Sequence, residues 1–109
     1  MEEILANAEE FLASGEDNLK KERWNAAVSD YFKAIVTFAD YLIYQKIKTL
    51  PKSHNERFQL LEKYFKNIYD NLLILFKKYR ETYNIRLSQA DAQALRIYAH
   101  EIKSSIPNK

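Results

Sequence analysis

Four cations crowd the end of one helical pattern: Lys77, Lys78, Arg80 and Arg86, in the stretch FKKYRETYNIRL. Such side chains hold phosphate oxygens through charge-assisted hydrogen bonds, and the planar guanidinium does so bidentately. The stretch therefore reads as an anion-binding or catalytic edge, or as the solvated end of a helix. Proton transfer near neutral pH would need an imidazole, and there are two, His54 and His100. His54 follows Ser53 in an expected loop, where a capping or surface role is the ordinary one. His100 lies one turn after Arg96, so the two share a face if the segment is helical. That pair could hold a phosphate or be surface neighbours.

Other chemistries find little support. There is no Cys, which removes disulfides and thiolate metal sites. The two His are not spaced as a ligand pair, so no metal and no cofactor is expected. A single Gly, Gly15, cannot build a glycine-rich phosphate loop. The carboxylates are scattered, with no pair marked as general acid and base. Eight Tyr and six Phe interleaved with Lys and Arg resemble a single-stranded nucleic-acid surface. Their spacing is that of a helical core, however, and most should be packed with the hydroxyl at a rim.

These residues are positioned by helices. Trp24, Val28, Tyr31, Ile35, Phe38 and Leu42 step by four and three, and Phe32, Val36, Ala39 and Ile43 form a second stripe beside them. A helix over about residues 22–48 with two such stripes should sit centrally. Pro51 disfavours helix at Leu50, and Ser53 or Asn55 can cap the next element. Phe58, Leu61, Phe65, Ile68, Leu72, Phe76 and Tyr79 then continue a stripe to about Tyr83, with a kink or short break expected near Asn67–Asp70. Ser88 with Asp91 reads as a capping box. Ala90, Ala94, Ile97 and Ile102 suggest a narrow apolar face on a last helix ending before Pro107. Ile4, Leu5, Ala8, Phe11 and Leu12 form a first helix, ended or loosened around Gly15. The fold class implied is all-α, an antiparallel bundle of four to five helices in one domain, 1–109.

Charge is asymmetric along the chain. Residues 1–17 carry six acids and no Lys or Arg, whereas residues 18–109 hold 17 basic against 9 acidic side chains. The split suits a nucleic-acid surface or an acidic partner, and equally an acidic first turn complementing a helix dipole. The longest apolar run is five residues, Leu72 to Phe76, far short of a membrane span. An acidic start, MEEILANAEE, is unlike a signal peptide, so the expected location is the cytoplasm, with no membrane partner.

Two resemblances follow. AEEFLASGEDNLKKERWNAAVSDYFKAI is similar to a tetratricopeptide or microtubule-interacting hairpin, which implies a peptide-binding adaptor with an open groove. Over nearly the whole chain, the order of four segments resembles the HEPN superfamily of prokaryotic helical bundles. These are RWNAAVSDYFKAIVTFADYLI, the Ser53–His54 loop, LFKKYRETYNI and LSQADAQALRIYAHEI. The resemblance implies a homodimeric bundle, often partnered by a small nucleotidyltransferase in toxin–antitoxin pairs. It also implies, in active members, a metal-independent ribonuclease with an Arg followed after four to six residues by His. Arg80 falls at the family's arginine, but positions 85 to 87 are Ile85, Arg86 and Leu87. Arg86 cannot act as a base because guanidinium stays protonated. The expectation is a non-catalytic binding module, homodimeric, holding nucleotide or RNA through Arg80, Arg86, Lys77, Lys78 and His100. A ribonuclease using Arg80 with a displaced His100 or His54 is the alternative. Dimerisation has a physical motive too, since the stripes on the second and third helical segments together exceed what a small bundle readily buries.

Overall fold

A computed structural model describes residues 2–107 as five helices: α1 (Glu2–Lys20), α2 (Trp24–Ile47), α3 (His54–Tyr64), α4 (Lys66–Glu81) and α5 (Gln89–Ser104). No strand occurs among the described residues. α2 is the axis of the bundle and packs against each of the other four helices. Both of its stripes point inward: Val28, Tyr31, Ile35 and Phe38 are buried, as are Phe32, Ala39 and Ile43. The apolar surface of α2 is thus covered within one chain, because four neighbours surround it. It supplies no free face for a second copy.

α1 does not end at Gly15 but runs through it. A Cβ at this position would lie 2.7 Å from Cδ1 and 2.8 Å from Cε1 of Tyr31. Gly15 is therefore a close-approach residue that lets the Tyr31 ring sit against the α1 backbone. Beyond α1 the chain reverses through Glu22, whose φ is 60°. α2 ends as its spacing predicts, with Lys48 in the left-handed region at φ 61° and its N–H returned to the Tyr44 carbonyl.

α3 begins with Ser53 Oγ accepting from Glu56 N at 3.1 Å, while Glu56 Oε1 accepts from Lys52 N at 2.7 Å. Asn55 lies inside the helix. The interruption of the long third stripe falls at Phe65, earlier than the expected Asn67–Asp70. One residue leaves the helical region (φ −142°, ψ 65°), and its N–H still closes on Leu61 O at 2.7 Å. This break lets α3 and α4 each turn a face toward α2, burying Leu61 from one and Leu72 and Leu75 from the other. Phe58, Phe76, Tyr79 and Phe32 form an aromatic column across the junction, with Phe32 and Tyr79 stacked at 4.6 Å. Asp40 of α2 locks α3 in place by accepting two bonds from Arg57, at 2.7 and 2.9 Å.

The Ser88–Asp91 capping box opens α5 as expected. The buried face of α5 is the expected one only at Ile102. Ala92, Leu95, Ala99 and Ile102 face the core, whereas Ala90 is exposed, Ala94 is half-buried and Ile97 is 64% exposed. The buried set steps by three, four and three, whereas the expected one breaks to a step of five between Ile97 and Ile102. α5 lies against α1 and α2 together, filling the groove that an open α1–α2 hairpin would offer a peptide.

Candidate functional site

The end of α4 presents cations to solvent because its other side is anchored. Leu72 and Leu75 are buried, and Phe76 and Tyr79 pack half-buried on the core, which turns Lys77 and Arg80 outward. Lys77, Arg80, Glu81 and Asn84 line a shallow depression of about 300 Å³. The Arg80 guanidinium rests 5.8 Å from the centre of the Phe76 ring. Among the described residues, neither Lys77 nor Arg80 is in an ion pair. Tyr83 leans over the same end, its hydroxyl 3.1 Å from that of Tyr79, and this bond raises the Tyr79 pKa above its ordinary value.

The loop after α4 is held by one side chain that the sequence reading overlooked. Asn25 Nδ2 donates to the carbonyls of Thr82 and Ile85 at 3.0 and 2.7 Å, and Asn25 Oδ1 accepts from Leu87 N at 2.9 Å. The three bonds satisfy a turn that could not pair within a helix. Arg86 projects from this loop into solvent and is not among the residues lining the depression.

The other expected site residues are placed elsewhere. Lys78 turns toward α5 and donates to Asp91 Oδ1 at 2.6 Å. The Lys78 bond, joined by those from Ser88, holds the Asp91 carboxyl below its ordinary range. His100 lies on the α1 side of α5. There, Glu16 Oε1 is the shared acceptor for Tyr31 Oη at 2.8 Å and Arg96 Nε at 2.8 Å, with His100 Nε2 at 3.1 Å. Burial pushes the Glu16 carboxyl upward, but the bonds from Arg96, Tyr31 and His100 outweigh it and hold the group low. Burial pushes the Tyr31 hydroxyl up, and the bond to Glu16 adds to it. Arg96 and His100 do share a face, as their spacing implies. Glu16, which lies 80 and 84 positions away from them, carries no local signal.

His54 is the second imidazole, and its Nδ1 lies 2.8 Å from Arg57 Nη1. A guanidinium only donates, so Nδ1 accepts and the ring proton sits on Nε2. His54 and Arg80 both border the Phe76 ring, at 6.1 and 5.8 Å from its centre, but no hydrogen bond or ion pair joins them. The structure thus brings Lys77 and Arg80 together and leaves Lys78, Arg86 and His100 outside that pair. No group of three or more His, Cys, Asp or Glu able to hold a metal ion occurs among the described residues. No helix among them is long and apolar enough to cross a membrane. Comparison with known proteins returns no matching family model, no matching curated protein and no matching solved structure.

Proposed function

We propose that this chain is a non-catalytic helical-bundle module of the HEPN type. It pairs with a second copy of itself and binds a phosphate-bearing ligand, a nucleotide or RNA, at the end of α4. The observation that carries the reading is the Arg80 guanidinium, in no ion pair among the described residues, at the depression and near exposed Tyr83. A guanidinium outside any ion pair can grip phosphate, and an exposed aromatic ring gives a base something to stack on. Neither imidazole is bonded to Arg80, which supports binding over strand cleavage. The HEPN resemblance extends the candidate partners to a nucleotidyltransferase-type protein.

The test is fluorescence polarisation with a labelled single-stranded RNA oligonucleotide across a salt series. The reading expects affinity that falls linearly on logarithmic axes, by about 0.7 per phosphate contacted. Arg80→Glu should abolish it, and Arg86→Ala should leave most of it. Binding that is absent in the wild type, or unchanged in Arg80→Glu, would defeat the ligand assignment.

A further inference from the structure

The side of α4 turned away from the core carries an ordered row: Lys66, Asp70, Leu73, Ile74, Lys77, Glu81. Lys66, Asp70, Lys77 and Glu81 lie at three- and four-residue steps from the adjacent pair Leu73 and Ile74 or from one another, and so share one face. Leu73 is 47% and Ile74 66% exposed, in a chain that buries both stripes of its central helix. The row reads plus, minus, apolar, apolar, plus, minus. Turned end over end, it becomes its own complement. Lys66 then meets the partner's Glu81, Asp70 meets the partner's Lys77, and Leu73 meets the partner's Ile74. A two-fold axis generates each of these contacts twice. A parallel alignment would instead stack every charge on its own kind.

We infer that this outer face of α4 is an isologous interface, and that its occupant is a second copy of this chain in antiparallel register. The inference rests on the reading of the chain as a self-pairing module and names the face that does it.

No like charges meet along the α4 row. The face also carries two charges of each sign on α4, so it has no single-sign field to attract nucleic acid. Arg80 falls at its margin rather than in its row.

The experiment uses two charge variants of the full chain, Asp70→Lys and Lys77→Asp. Each alone sets like charges opposite each other twice per dimer and should weaken self-association by roughly tenfold or more. Mixed one to one, the two variants restore both pairs, and native mass spectrometry should show a heterodimer that outnumbers either homodimer. Ile74→Glu should be monomeric in sedimentation with its helical circular dichroism intact. If a single swap impairs folding, Lys66→Glu mixed with Glu81→Lys makes the same test at the outer pair. A wild type that sediments as one chain at about 100 µM would overturn self-pairing itself. A wild-type dimer with both variants still dimeric, and with statistical mixing, would overturn this face while leaving self-pairing intact.

Discussion

Gly15→Ala separates a helix-propensity argument from a packing argument, because the two predict opposite signs. Gly15 lies within a 19-residue helix, where Ala should gain about 1 kcal/mol over Gly. The added methyl, however, would sit 2.7 Å from the Tyr31 ring, closer than such carbons approach. Tyr31 is fully buried, so the ring can retreat only by displacing core neighbours, at about 1–3 kcal/mol. Retreat also strains its 2.8 Å bond to Glu16, a charged acceptor whose loss is worth about 1.5–3 kcal/mol. The balance is a destabilisation of about 2 kcal/mol, and a melting temperature lower by about 8–16 °C for a domain near this size. Urea unfolding followed by circular dichroism measures it. The cycle is closed with Tyr31→Leu, which removes the ring. In that background Gly15→Ala should be neutral or stabilising, giving a coupling of about 2–3 kcal/mol between the sites. A Gly15→Ala variant that is more stable than wild type, or two substitutions that simply add, would refute the close-approach account.

Three further outcomes follow from the polar contacts. Glu16 has a folded-state pKa below its ordinary 4.5, so it stabilises the fold above that value and loses this contribution as pH falls through the lowered one. Glu16→Gln should cost about 1–2 kcal/mol at pH 7 and should flatten the decline in stability below about pH 4.5, read from urea midpoints across an acid pH series. Asn25→Ala removes all three bonds that hold the loop after α4, and should cost about 1–3 kcal/mol while speeding limited proteolysis near Tyr83–Ile85. Ser88→Ala removes the N-cap of α5 and should lower stability by about 1 kcal/mol in the same unfolding assay.

The parts of the fold legible in the sequence were those set by local spacing. The double stripe of α2 implied a central helix, and α2 touches every other helix. The Ser88–Asp91 pair implied a helix start, and both of its reciprocal bonds are present. What escaped was set by contacts distant in sequence. Gly15 reads as a breaker until the Tyr31 ring is placed against it. Asn25 gives no hint that it serves carbonyls 57 and 60 positions away. α5 is a different case: the unbroken three-four-three step of Ala92, Leu95, Ala99 and Ile102 was present in the sequence, and it is Leu95 rather than Ile97 that the fold buries. The candidate site was legible at Lys77 and Arg80, whose outward aim follows from the α4 stripe. It was not legible at Lys78 or His100, whose partners, Asp91 and Glu16, come from other helices.

The account holds that the cationic end of α4 grips phosphate without cutting it. One measurement bears on that most directly: a mixed RNA pool incubated with purified protein across pH 5–9, with each sample split between a native gel and a denaturing gel. The account predicts retarded RNA on the first and full-length RNA on the second, with retardation lost in Arg80→Glu. Shortened RNA that disappears when Arg80 is replaced would contradict it.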